Sequence, residues 1–427
     1  MTLTRRHILT SGLAGSLAAL LPVPGLRHLA FAQAGAAPRP LLIVLHQRGG
    51  CDGLNLISPA DDPHFIEARA SELRVLTDGA DAGHALANGP APNIDFRLHP
   101  AAGGMAELYQ SGQLAVIHAA GLTDSTRSHF VATDMIEHGV GDAASLDRTQ
   151  TGWLMRSLRS GGGAGVTAVS AAGSPSGELA GLTGTLAVPD LGGGLAPAGG
   201  PQVLAVLQHL YAQGESRAAI AGRQALAAMG VIDARLPRDP KGQLIAYKPD
   251  DAAHYDPAQD FARPLKTVAQ LIKLEIGLEA ATVDIGGWDT HEYQPGRFKS
   301  AVEKLSNGLT AFWNDLSPYH DRMIVVMVTE FGRRLRSNKS TGTDHGRAGV
   351  MAVLGGKVRG GRFYGPWPGL EADKLDEGVD LAVATDYRRV LTEILEMQRG
   401  KRLDAVFANY AYPGPLGLFG DRPPPKA

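Results

Sequence analysis

The stretch Leu41-Leu-Ile-Val-Leu-His46-Gln-Arg-Gly-Gly-Cys-Asp52-Gly-Leu-Asn55 sets an unbroken apolar run against a polar, glycine-rich turn. A short run rich in Leu, Ile and Val, without polar alternation, suits a strand buried on both faces of a parallel sheet. Similar runs follow at 114–119, 282–285, 323–328 and 350–354. Helical patterns lie between them at 105–110 and 130–138. Two more cover 297–316, with Val302, Leu305, Leu309, Phe312 and Leu316 near a helical period, and 387–397, with Val390, Leu391, Ile394 and Leu395 on one side. Strand alternating with helix predicts an α/β fold, a mostly parallel central sheet with helices on both faces.

Residues 40–410 are expected to form this domain. The glycine tracts near 160–165 and 191–200, a helix expected at 201–229 and the Pro/Asp-rich stretch near 237–257 make 140–260 read as an insertion or cap that interrupts the sheet. The proline-rich tail 411–427 is expected to be extended or disordered.

The first 34 residues read as a twin-arginine export signal. Thr4-Arg5-Arg6-His7-Ile8-Leu9 leads into small and apolar residues over 11–21; Pro22 and Pro24 follow, and Ala32-Gln33-Ala34 offers a small-x-small cleavage site. The apolar run is about half of the roughly 20 residues a membrane span needs, and an uncleaved anchor is the alternative. The expectation is a periplasmic or secreted protein that meets the Tat translocase during export and has no membrane span after cleavage. A net charge of −2 with no basic tract argues against nucleic-acid binding. The single cysteine, Cys51, excludes an internal disulfide.

In open α/β sheets ligands bind beyond the carboxyl ends of the strands, and five segments place polar residues there. Asp52 follows the first run, where it could bind a metal or cap a turn. Asp124-Ser125-Thr-Arg127-Ser128-His129 follows the second. Ser128 falls at a helix start, as a nucleophile or simply an N-cap. Asp289-Thr-His291 follows the third, Glu330-Phe-Gly-Arg333 the fourth, and Asp344-His345-Gly-Arg347 precedes the last. Carboxylates and imidazoles together suit a divalent ion such as Zn, Ca or Mn. The forks of Arg48, Arg127, Arg333 and Arg347 fit anion oxygens, or pair with local acids.

The motifs Arg48-Gly-Gly-Cys-Asp52-Gly-Leu-Asn55, Arg127-Ser-His-Phe130, Gly152-Trp-Leu154, Gly287-Trp-Asp-Thr-His291, Thr329-Glu-Phe-Gly-Arg333 and Asp344-His-Gly346 occur in this order. With the twin-arginine leader they resemble an uncharacterised bacterial family of Tat-exported proteins, a domain of unknown function distantly similar to the alkaline phosphatase and sulfatase superfamily. The resemblance implies a hydrolase acting on a small anionic phosphate or sulfate ester. Ser128 would be the nucleophile, with Ser125 as runner-up, and His129 and Arg127 its helpers. Asp52, Asp289, His291, Glu330, Asp344 and His345 would hold the metal. One departure stands out: the superfamily has an Asp-His pair directly after the fourth strand, where this chain has Glu330-Phe331. That leaves open one metal, a rearranged pair or none, and a second reading as a catalytically inactive envelope scaffold. A third reading takes Cys51 as a reactive thiol.

Overall fold

The structure, a computed structural model, describes residues 40–159, 166–195, 197 and 199–420. The export-signal reading lies outside the described residues.

The sheet strands are β1 (Leu41–Gln47), β2 (Leu114–Gly121), β3 (Ala168–Ser170), β4 (Leu186–Ala187), β5 (Ala280–Ile285), β6 (Met323–Val328), β7 (Gly349–Gly355), β8 (Arg362–Tyr364) and β9 (Thr385–Asp386). They form one nine-stranded sheet in the order β8-β2-β7-β6-β1-β5-β3-β4, with β9 also pairing β2. Pairing is parallel except at β7, which runs antiparallel to both β2 and β6. The fold is the expected α/β class with a mostly parallel sheet.

The central strand shows why the apolar runs read correctly. Leu41, Ile43 and Leu45 enter one core, packed with α1 (Gly103–Gln110), α6 (Ala262–Lys273) and α7 (Gln294–Asp315). Leu42 and Val44 enter the opposite core with α2 (His129–His138), α3 (Trp153–Arg159) and α8 (Tyr387–Arg399). Each fully buried Leu, Ile or Val contributes roughly 1.5–3 kcal/mol, so the stretch Leu41–Leu45 tolerates a polar residue on neither face, and the buried His46 and Gln47 come only at the strand end.

Two regions hold more structure than the sequence suggests. Part of the 140–260 stretch, expected as an insertion or cap, joins the main sheet, because β3 and β4 come from it and extend that sheet beside β5. Strands of three and two residues are too short to leave an apolar run. The single helix expected at 201–229 is two, α4 (Gly200–Ala212) and α5 (Arg217–Arg235), broken where Gly214 takes φ +100°. Residues 411–420 of the tail are docked: the Glu393 carboxylate accepts the backbone N–H groups of Leu416, Gly417 and Leu418, and Leu418 is fully buried.

Strand register levels one edge of the sheet. His46 lies opposite Val328, and Gln47 opposite Ile285, so β1, β5 and β6 end together. Because β7 is antiparallel, its start, Gly349, lies beside Ala120 near the end of β2. The turns after β1, β2, β5 and β6 and the segment before β7 therefore meet at one edge.

Candidate functional site

Three histidines and an aspartate converge there. His129 opens α2, after the loop from β2; Asp289 and His291 follow β5; His345 precedes β7. Asp289 Oδ1 is 3.1 Å from His291 Nε2, 3.5 Å from His345 Nε2 and 3.6 Å from His129 Nε2. His291 Nε2 is 2.8 Å from His345 Nε2. The approach depends on Gly49, at φ +120°, where a Cβ would stand 2.5 Å from the Asp289 backbone nitrogen.

The far side of each imidazole fixes its proton. His129 Nδ1 lies 2.8 Å from Glu330 Oε1, His291 Nδ1 3.1 Å from Asp344 Oδ1, and His345 Nδ1 2.8 Å from the Arg127 carbonyl. All three partners are acceptors, so each Nδ1 carries the hydrogen and donates it. Each ring then turns the lone pair of Nε2 toward Asp289 Oδ1; the ligand atoms of His129, Asp289 and His345 lie within 4.8 Å of one another, and His291 adjoins them through Asp289 and His345. Histidines that bind metal are oriented in this way by carboxylates and carbonyls. Nitrogen ligands about 2.0–2.1 Å from a tetrahedral Zn²⁺ stand roughly 3.3 Å apart, within the spread of the separations here. The donor set fits a divalent ion. The side chains of Asp289 and His291 are 50% and 39% exposed, so the centre opens to solvent.

Electrostatics follow the same layout. The hydrogen bond to Glu330, with its charge, raises the pKa of His129 against burial. Burial alone would raise Glu330, but the His129 hydrogen bond, the His46 charge and the Gly49 N–H hold it down at about 2. Burial also opposes ionisation of Asp289, and Arg333 outweighs it through a 2.6 Å hydrogen bond and its charge. Burial lowers His345. The hydrogen bond from Asn338 lowers Asp344 against burial, with His291 helping.

The residues singled out in the sequence separate into groups. Asp289, His291 and His345 face the centre. His129, expected as a proton carrier, faces it with a ligand atom, and its buried Nε2 has no hydrogen-bond partner. Glu330 and Asp344, expected as ligands, stand behind His129 and His291 and orient them. Asp52 does not reach the centre: its fully buried carboxylate is held by Arg69 Nη1 at 2.5 Å, Arg69 Nη2 at 2.9 Å and Gln294 Nε2 at 2.7 Å. Those partners satisfy it where it lies.

Ser128 is exposed and occupies the N-cap of α2, but its side chain makes no capping hydrogen bond. The runner-up, Ser125, lies exposed three residues earlier, in the loop before α2. The Arg127 guanidinium turns away to Asp380 and Glu377, leaving its carbonyl at the site. Arg48 pairs with Glu137 and Asp284, and Arg347 with Asp376. Arg333 is buried on Asp289 and the carbonyls of Gly49, Gly50 and Thr343. The Cys51 thiol is buried, and desolvation pushes its pKa well up. A reactive thiol needs the opposite setting.

The fold and site define an α/β protein with a histidine–aspartate centre at the carboxyl edge of its sheet. Residues 212–401 match the family described as "Protein of unknown function (DUF1501)", so the resemblance to an uncharacterised family holds over the part that supplies Asp289, His291, Glu330 and His345. No curated protein matches the sequence. Solved structures similar to the chain include three from the bacterial world. The first is the C-terminal periplasmic domain of EptC from Escherichia coli in complex with Zn, at 7% identity and TM-score 0.36, covering 75% of this chain and 74% of that one. The second is the lipoteichoic acid synthase LtaP from Listeria monocytogenes, at 9% and 0.32, covering 78% and 70%. The third is the alkaline phosphatase of the Antarctic bacterium TAB5, at 10% and 0.37, covering 85% and 99%. Among the described residues no helix is long and apolar enough to cross a membrane.

Proposed function

We propose that this chain is an exported, metal-dependent hydrolase-like protein acting on a phosphate or sulfate ester, with one divalent ion held by His129, Asp289, His291 and His345. The observation that carries the reading is the convergence of three Nε2 lone pairs on one carboxylate oxygen, each ring locked by an acceptor behind it. A divalent ion there supplies Lewis acidity toward an ester oxygen.

The chain's own residues do the rest. Ser128, adjacent to His129 and free of a capping bond, is the nucleophile in this reading. Its oxygen bonds to phosphorus or sulfur as the bond to the leaving alcohol breaks, and water later releases the acid and restores the serine. Arg333 keeps Asp289 ionised and fixed, and Glu330 and Asp344 hold their histidines in register. The twin-arginine reading of residues 1–34 puts this chemistry in the periplasm or outside the cell.

The test is metal analysis of the purified mature protein with hydrolysis of aryl phosphate and aryl sulfate. The reading expects about one ion lost in His345→Ala and ester hydrolysis lost with it. Unchanged metal in that variant overturns the site. Metal binding without hydrolysis of either ester favours a scaffold. The pairing of Arg48, Arg127 and Arg347 with carboxylates, rather than their turning toward the centre, motivates that second reading.

A further inference from the structure

A second buried cluster lies behind the first. His46, Glu137 and Glu178 each offer a ligand atom, all within 4.8 Å of one another, and all three residues are buried. They come from β1, the far end of α2, and the segment between β3 and β4. His46 Nδ1 is 3.3 Å from Glu178 Oε1. Two polar atoms at the cluster, His46 Nε2 and Glu178 Oε2, are buried with no hydrogen-bond partner. Gly177 leaves room for Glu137, since a Cβ there would meet Glu137 Oε2 at 1.9 Å.

Charge points the same way. Arg48 meets Glu137 Oε1 at 2.5 Å and Asp284 at 3.1 Å, but makes no hydrogen bond to Glu178 Oε2. Glu330 adds a third carboxylate, with Oε2 3.9 Å from His46 Nε2. Glu330 is already met by His129, so Glu137 and Glu178 are left with Arg48 and His46, and buried charge must be paired.

We propose that His46, Glu137 and Glu178 form a second divalent-cation site, joined to the first through Glu330. One imidazole and two carboxylates suit Zn²⁺ or Mn²⁺. With the ion on the Nδ1 side of His46, Nε2–H faces Glu330 Oε2, while Glu330 Oε1 accepts from His129. One carboxylate is then hydrogen-bonded to His129 at the first site and stands in electrostatic contact, at 3.9 Å, with His46 at the second. His129 and Glu137 are eight residues apart on α2, about 12 Å at 1.5 Å per residue. That rise along α2 sets the two ligand groups a turn or more apart, against the about 3.5–4 Å between the ions of a two-metal clamp. The second ion fixes the position of Glu330 rather than touching an ester. The join through Glu330 rests on the proposed first site; the second site itself does not.

The experiment uses the full mature protein saturated with Zn²⁺ or Mn²⁺ and then desalted. Elemental analysis is expected to give two ions per chain in wild type, one in Glu178→Gln and one in His345→Ala. Loss in Glu178→Gln but not in His345→Ala keeps this site and sinks the first; the converse sinks this one. Should Glu178→Gln fail to fold, an anomalous-scattering map of wild-type crystals decides. A peak bonded to His46 and Glu178 supports the site, and its absence from saturated crystals overturns it.

Discussion

His291 Nε2 and His345 Nε2 face each other at 2.8 Å although both rings spend their Nδ1 hydrogens on acceptors behind them. Two neutral rings so placed point lone pair at lone pair. The contact is stable only with a positive charge between them, whether a proton or a metal ion. Asp289 Oδ1 stands within 3.6 Å of all three Nε2 atoms, which favours an ion shared through that carboxylate over a proton serving two rings.

Outer partners should matter nearly as much as ligands. Glu330→Gln keeps the shape of the side chain but removes the charge that holds His129 Nδ1–H. We expect metal affinity to fall about 10–100-fold, with secondary structure intact. Chelator competition measures this; an unchanged affinity would show that Glu330 does not orient His129.

Ser128→Ala separates chemistry from structure. The side chain is exposed and makes no cap, so stability should stay within about 0.5 kcal/mol. Ester hydrolysis should fall on the order of a thousandfold or more, with metal content unchanged. Equal turnover in the variant would remove Ser128 from the mechanism.

Asp52 belongs to the frame. The Arg69–Asp52 pair is fully buried, and the Arg69 charge and hydrogen bonds hold Asp52 ionised against desolvation. Arg69→Met leaves that charge unpaired and should cost about 3–5 kcal/mol in denaturant unfolding. Arg69→Met combined with Asp52→Leu should recover much of the loss. If the double variant is no better than the single one, the unpaired charge is not the cause.

His118 predicts an acid sensitivity separate from the metal. It is fully buried, its Nε2 lies 2.9 Å from the Ile57 carbonyl, its Nδ1 accepts the Ala119 N–H, and desolvation lowers its pKa to about 4. Between pH 6.5 and 4 the unfolded chain binds the extra proton and the folded one does not. Stability from this group is therefore present above pH 6.5 and lost as pH falls toward 4, on the order of 3 kcal/mol. In EDTA-treated protein, His118→Phe should be less stable at pH 7.5 yet lose less over that window. Parallel pH profiles for the two proteins would contradict it.

What could be read from the chain depended on whether a residue's partners were near it in sequence. β1 and β6 were legible because burial on both faces leaves a run that nothing else explains. The positions of Asp289, His291 and His345 at one edge are legible because strand ends gather there in this fold class. Asp52 meets the same criterion yet lies away from them, since Arg69 and Gln294 become its neighbours only on folding. The orientation of the His129 ring is not legible, because its partner Glu330 is 201 residues away. Glu178 carried no signal at all: it lies in a short turn, and His46, 132 residues distant, is what gives it meaning.

The wide sequence spacing of the three histidines has a mechanical consequence. With Cys51 as its only cysteine, the chain can form no internal disulfide. An ion gripping α2, the turn after β5 and the segment before β7 would rivet three distant segments, stabilising the fold by binding the native state alone, where a disulfide would act by restricting the unfolded chain. Such a rivet can close only once the sheet has assembled and can be drawn by a chelator, so loading and unloading the ion become a record of whether the fold is complete.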